Sequence, residues 1–371
     1  MSEPLALYGK DLFGEVIAPP SRGLLADRFE FPPFSVLNAR EGAWQDRKRA
    51  WIELGIQSEL GRGDGASPGG SQRPAADYRH GERGDGTGKA IRKADARTEG
   101  SGAPGTLAAT FNKPEERRLT WVAGNRPVEE LDEVSRKILA AQAQGGTSIF
   151  DPVLTELSYR WFCPAGGQIV DPFAGGSVRG LVAGLLGFRY HGIDLRAEQV
   201  AANEVQRTAL APESTVRWAC GDSTALMKDA PPADFIFSCP PYGDLERYSD
   251  DPSDLSTMDY PHFIDAYREI IAECAHNLKP DRLACFVVGD FRDKRTGYYR
   301  GFVADTINAF RWAGLELYND AVLVTAVGSL PIRVSGQFER GRKLGKTHQN
   351  VLVFAKGDPR KAFAGDGTVA L

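Results

Sequence analysis

The 371-residue sequence contains no CxxC pair, no uninterrupted run of about 18 apolar residues and no marked excess of charge of either sign. Each absence excludes something. Cys163, Cys220, Cys239, Cys274 and Cys285 are odd in number, and no basic region followed by an apolar core precedes them, so reduced thiols in a cytoplasmic protein are expected. Without a long apolar run, no membrane span is expected. His80, His191, His262, His276 and His348 show no HxxxH or mixed Cys and His spacing, so no metal chemistry is expected. A formal charge of −4 argues against a uniformly basic nucleic-acid binder, so any polyanion must be met by a local basic patch.

Composition shifts divide the chain. Residues 61–105 hold 12 of the 41 glycines, with only Tyr78 and Ile91 as sizeable apolar side chains. Such a stretch cannot bury enough surface to offset its ordering entropy, and a flexible linker is expected there. It separates an N-terminal module, residues 1–60, from a connecting helical segment at 106–146, a main domain at 147–357 and a tail at 358–371. Within the N-terminal module, Trp44, Trp51, Ile52, Leu54 and Ile56 suit one side of a helix over residues 40–60. Arg47, Lys48 and Arg49 lie between the tryptophans. They fit either a nucleic-acid contact or a solvated face above a tryptophan-lined core.

From residue 168 onward, short apolar runs alternate with helix-length segments, as in a parallel sheet covered on both faces. The expected strands are QIVDPFA, RYHGIDL, TVRWACGD, DFIFSCPP, RLACFVVGDF, ELYNDAVLVTA and NVLVFAKG. The last two lack a helix-length apolar pattern between them and are expected to pair antiparallel at one edge. In open sheets of this type ligands bind beyond the carboxyl ends of the strands. The first strand ends in Asp171, followed by Gly175 and Gly176, which permit close backbone approach, and by Ser177 as a helix N-cap. No GxGxxG fingerprint is present. The second strand ends in Asp194, positioned for ribose hydroxyls, and the third in Asp222, positioned for a purine edge. Three successive strands ending in aspartate suit an adenosine-bearing cofactor.

The fourth strand ends in Ser238, Cys239, Pro240, Pro241 and Tyr242. DPFAGGS at 171–177 and CPPY at 239–242, in this order and spacing, resemble the S-adenosylmethionine-dependent DNA methyltransferases that modify exocyclic amino groups, adenine N6 or cytosine N4. The resemblance covers residues 147–357. It implies a Rossmann-like α/β sheet of seven strands with an antiparallel last strand. It also implies S-adenosylmethionine as cofactor and DNA as partner. The cofactor site it implies comprises Asp171, Pro172, Phe173, Ala174, Gly175, Gly176 and Ser177, then Asp194 with Leu195, and Asp222 with Ser223. TSIFDP at 147–152, with Phe150 and Asp151, resembles the family's segment that closes over the methionine end.

An exocyclic amino group is a poor nucleophile, so its hydrogens must be accepted and the nitrogen held in line with the methyl donor. Two prolines fix an extended backbone that can aim the Pro240 carbonyl at the amino group, while Tyr242 offers a ring for an extruded base. Two departures from the family pattern stand out. Ser177 replaces a glycine, and Cys239 replaces the Asp, Asn or Ser that supplies the second acceptor. The cysteine leaves open covalent methylation of pyrimidine C5, or a silent nucleic-acid-binding protein on the same fold. It also removes the usual hint of base identity, although Ser238 leans toward cytosine.

Between the last two strands, Arg333, Arg340, Arg342, Lys343 and Lys346 form the expected basic patch, on a loop made mobile by its glycines and able to follow phosphates. Arg292, Lys294 and Arg295 add charge after the fifth strand. The acidic stretch 243–262 is expected to be a lid whose aspartates face solvent or pair with the basic loop. With no recognition domain evident after the fourth strand, the N-terminal module is the remaining candidate for reading DNA.

Overall fold

The computed structural model describes residues 7, 23–57, 150–243, 249, 251–327 and 330–363. The expected linker at 61–105, the connecting segment at 106–146, residues 147–149, residues 244–248 and the last eight residues lie outside that set.

One eight-stranded sheet organises the main unit. Its strands are β1 (Val36–Asn38), β2 (Gln168–Asp171), β3 (Arg189–Asp194), β4 (Val216–Cys220), β5 (Ala233–Ser238), β6 (Leu278–Val288), β7 (Glu316–Val324) and β8 (His348–Lys356). They lie in the order β1-β7-β8-β6-β5-β2-β3-β4. Every pairing is parallel except those of β8, which runs antiparallel to both β6 and β7. The fold is thus a doubly wound, Rossmann-like α/β sheet with an antiparallel last strand, as the sequence implied. Its chain order turns back between β2 and β5, and this reversal is the topological switch point where such sheets bind ligands.

Period-two patterning explains why the sheet is buried on both faces. In β6, Leu283, Cys285 and Val287 enter one core while Ala284, Phe286 and Val288 enter the other. The first core is closed by α2 (Gly42–Glu53), α3 (Pro152–Phe162) and α4 (Val178–Leu185). The second is closed by α7 (Tyr260–Asn277) and α8 (Phe302–Trp312). The helices α1 (Leu24–Phe29), α5 (Ala197–Leu210) and α6 (Ser223–Leu226) also belong to the unit.

Two expectations are corrected. First, the described N-terminal residues, 23–57, do not form a separate module. β1 is an eighth strand, pairing Val36 with Val322 and Asn38 with Val324, so β7 is covered on its outer side. The helix read over 40–60 is α2, which docks on α3 through Glu156. That carboxylate accepts from Arg47 Nε at 2.9 Å, Arg47 Nη2 at 2.5 Å, Trp51 Nε1 at 2.8 Å and Arg160 Nε at 3.0 Å. Burial works to raise the Glu156 pKa, but the arginines and Trp51 outweigh it and hold it below the usual range. Arg47 is therefore engaged inside the protein. Lys48 lies 3.4 Å from Asp151, and Arg49 pairs with Asp46.

Second, the basic segment is helical where a mobile loop was expected: α9 (Leu330–Gly341). Pro331 falls in the first turn, where a missing N–H is tolerated, and Arg342 ends the helix at φ 52° with its N–H on the Phe338 carbonyl at 2.8 Å. Residues Val327–Gly345 belong to a second unit. In the acidic stretch, Asp251, Asp254 and Asp259 accept backbone N–H groups of Ser253, Ser256 and His262 in their own turns. Asp251 and Asp259 are exposed, in line with aspartates that face solvent, and Asp259 also pairs with His262 Nδ1 at 2.7 Å, whereas Asp254 is buried.

Candidate active site

Asp171, at the end of β2, is fully buried and acts as a knot between four elements. Its carboxylate accepts from Arg179 Nε of α4 at 2.6 Å, Tyr190 OH of β3 at 2.8 Å, Ser238 Oγ of β5 at 2.5 Å and the Phe173 N–H at 3.1 Å. Arg179 also donates to the carbonyls of Phe173 and Ala174 and lies 4.6 Å over the Phe150 ring. Burial opposes its charge, but Asp171 outweighs that and raises its pKa further. Sequence reasoning missed Arg179. Its signal was an arginine set in the otherwise apolar helix SVRGLVAGLLG.

The glycine turn follows. Gly175, at φ 53°, donates its N–H to Asp194 Oδ2 at 2.9 Å, and Arg196 donates its N–H to Asp194 Oδ1 at 2.9 Å. Burial pushes the Asp194 carboxyl up, against these two N–H groups. Asn203 of α5 donates to the Gly175 carbonyl at 2.8 Å, fixing the turn from behind. A Cβ on Gly175 would meet nothing within 4 Å, so open space lies in front of it. Gly176 is half-buried beside it. Ser177 occupies the N-cap position without capping, because its backbone is already helical at φ −65° and ψ −17°. Its hydroxyl is buried and has no hydrogen-bond partner among the described residues.

The remaining residues of the expected cofactor site converge on the same edge. Ser223 Oγ donates to the Pro172 carbonyl at 2.5 Å and ties the end of β4 to that of β2. Asp222 caps α6 through Thr224 N at 2.9 Å and Thr224 Oγ1 at 2.6 Å. The Leu195 carbonyl accepts weakly from the Cys220 thiol at 3.7 Å. Phe150 packs edge-on against Phe237. Asp151 caps α3 through Val153 N and Leu154 N, and accepts from Trp44 Nε1 at 3.2 Å.

At the end of β5, Ser238 is fully buried by its bond to Asp171, whereas Cys239, Pro241 and Tyr242 are half-buried and Pro240 is buried. The Cys239 sulfur lies 3.8 Å from Tyr242 OH, which also accepts from Gln349 Nε2 at 2.6 Å. The tyrosine ring stands edge-on to Phe302 and tilted against Phe291. Gln349 comes from β8, whose antiparallel course brings its first residues to the carboxyl edge of the parallel strands. Its only sequence signal was the polar start of THQNVLVFAKG. Lys346 and Gln349 gather with Tyr242 around Gly289, where an added Cβ would lie 3.5 Å from Lys346 Cε and 3.9 Å from Tyr242 Cζ.

Comparison with known proteins adds little. No protein-family profile and no curated relative matches the chain. Among solved structures, TrmN from Thermus thermophilus is 17% identical, with 58% of this chain and 52% of that one covered and a TM-score of 0.38. The chain thus spans about half the length of TrmN. A TehB-like SAM-dependent methyltransferase from Corynebacterium glutamicum is 18% identical, covering 60% and 97%, with a TM-score of 0.36. A provisionally named DNA modification methylase, also from Thermus thermophilus, is 19% identical, covering 37% and 50%, with a TM-score of 0.28. None is similar enough to carry a substrate over to this chain.

The DPFAGGS and CPPY segments therefore meet at the switch point, joined by Ser238 and Asp171. Lys346 belongs to this edge, while Arg340, Arg342 and Lys343 lie on the second unit with Arg333. A separate apolar cavity of about 430 Å³, lined by Phe29, Phe34, Leu157, Trp161, Val353 and Phe363 among others, shares no residue with either segment.

Proposed function

We propose that the protein is an S-adenosylmethionine-dependent DNA methyltransferase that modifies an exocyclic amino group of an extruded base, cytosine N4 or adenine N6. The observation that carries this reading is the 2.5 Å bond from Ser238 to Asp171, which holds the Cys-Pro-Pro-Tyr turn against the glycine turn at the switch point.

The residues of the glycine turn fit the cofactor. Open space in front of Gly175 admits a ligand close to the backbone, and the Ser177 hydroxyl is a buried polar atom awaiting a partner. Each Asp194 oxygen accepts one backbone N–H and keeps lone-pair capacity for a ribose hydroxyl. When bound, the cofactor supplies an electrophilic methyl group. The chain's own part is to orient the base. Tyr242, held by Gln349, Phe302 and Phe291, presents a fixed ring for stacking. The Pro240 carbonyl accepts an amino hydrogen, and the proline pair leaves no N–H to compete for it. Ser238 donates its hydroxyl hydrogen to Asp171, which leaves its oxygen able only to accept.

A second reading, covalent attack on pyrimidine C6 by Cys239 with methylation at C5, is favoured by the placement of that half-buried thiol beside Tyr242. Incubation with DNA and labelled cofactor, nucleoside digestion and mass analysis separates the two. N4-methylcytosine or N6-methyladenine is expected, and 5-methylcytosine alone would overturn the proposal.

A further inference from the structure

The turn from β6 to α8, residues 289–301, extends from the same sheet edge as Tyr242. Phe291 is buried and anchors it, contacting the rings of Tyr242, Tyr260 and Phe302. Beyond that anchor the backbone is closely tied. Asp293 N donates to the Tyr298 carbonyl at 2.9 Å, Gly297 N to the Asp293 carbonyl at 2.8 Å, and Arg300 N to the Phe291 carbonyl at 2.9 Å.

Both carboxylates of the turn serve this architecture. Asp290 caps α8 by accepting the Phe302 N–H at 2.8 Å. Asp293 accepts from Arg295 N at 2.9 Å and Thr296 N at 2.6 Å, and pairs with Arg300 at 2.8 Å. What faces outward is cationic and aromatic. Lys294 and Arg295 are exposed, Tyr298 is 77% exposed and Tyr299 is 45% exposed. Arg292 lies flat against Tyr299, 3.8 Å from its centroid, and is fixed there by its bond to the Gly297 carbonyl at 2.9 Å.

Single exposed apolar side chains are ordinary. Two adjacent tyrosines on a hydrogen-bonded turn, one stacked on a guanidinium and both flanked by cations, form the arrangement that holds unpaired nucleotides, with a ring for the base and charge for its phosphate. We propose that this turn is a nucleic-acid platform on which Tyr298 stacks an unpaired nucleotide neighbouring the target base, with Arg295 at its phosphate. The inference rests on the DNA reading above and extends it to the substrate strand. Phe291 ties the turn that carries Tyr298 to the Tyr242 ring.

The test is fluorescence anisotropy of the full chain with a short fluorescein-labelled single-stranded oligonucleotide and its duplex, over a salt series. Tyr298→Ala should weaken binding about 5- to 100-fold, while Tyr298→Phe should bind as the parent does. Arg295→Gln should reduce the salt slope on the single strand by about 0.7. Cofactor binding, followed separately, should be unchanged in all three. If the parent binds and methylates DNA while Tyr298→Ala and Arg295→Gln bind like it, the platform is overturned and the DNA reading stands. If the parent binds neither oligonucleotide, both fall.

Discussion

Ser238 donates its hydroxyl to Asp171 across 67 positions of sequence, at 2.5 Å and in full burial. The contact ties together the turns after β2 and β5, the two places where, on the proposed reading, methyl donor and acceptor meet. Its strength depends on Arg179, the charged partner that lets Asp171 stay buried.

Removing that partner should therefore unfold more than it disarms. Arg179→Met leaves Asp171 uncompensated in the core and should cost about 3–5 kcal/mol, measured by denaturant unfolding. A loss under about 1 kcal/mol would mean that Tyr190, Ser238 and the Phe173 N–H hold Asp171 without the arginine.

Ser177→Ala should separate binding from stability in the opposite sense. Because the hydroxyl is buried without a partner, its removal should leave unfolding of the cofactor-free protein unchanged or stabilise it, by up to about 1–3 kcal/mol. Cofactor affinity, followed by calorimetry, should fall. Destabilisation with intact affinity would show that the hydroxyl serves the fold.

Gln349→Leu deletes the donor to Tyr242 OH and should lower kcat/KM about 2- to 10-fold, the value of one hydrogen bond, with cofactor affinity unaffected. Combined with Tyr242→Phe, the loss should be less than additive. Full additivity would place Gln349 outside the orientation of the ring.

Cys239→Ser discriminates the two chemistries. Serine restores a stronger oxygen acceptor at that position, so amino methylation should persist or rise, whereas covalent C5 methylation should vanish.

Acid should loosen α2 before the rest of the sheet. Folded Glu156 holds its proton less tightly than the unfolded chain does, so its contribution is complete above the ordinary glutamate range and is lost as pH falls through the lower, folded value. Trp51 donates to that carboxylate, and its fluorescence should report the change. Glu156→Gln should flatten this acid limb. An unaltered limb would assign it to other carboxylates.

Much of the sheet was legible because its signals are local. The alternating strands β2 to β8 and their helices each carry a short-range period, and DPFAGGS and CPPY mark the two turns that meet. The features that escaped depend on distant partners. β1 is three residues long and becomes a strand only through β7. Arg47 and Lys48 read as free charge because their partners, Glu156 and Asp151, lie about a hundred positions away. Gln349 is unremarkable until β8 is known to run antiparallel. α9 reads as a mobile loop in sequence because of its glycines, yet Gly336 and Gly341 both fall within the helix.

The pairing of β1 with β7 also has a meaning in time. Val36 is made long before Val322, its neighbour in the sheet. At about 5–20 residues per second of synthesis, the first strand waits roughly a quarter of a minute to a minute without its partner. During that interval Leu37, buried in the finished fold, lacks the strand that covers it. β1 is thus placed only once β7 exists, and a holding factor acting on nascent polypeptide would find an exposed client there.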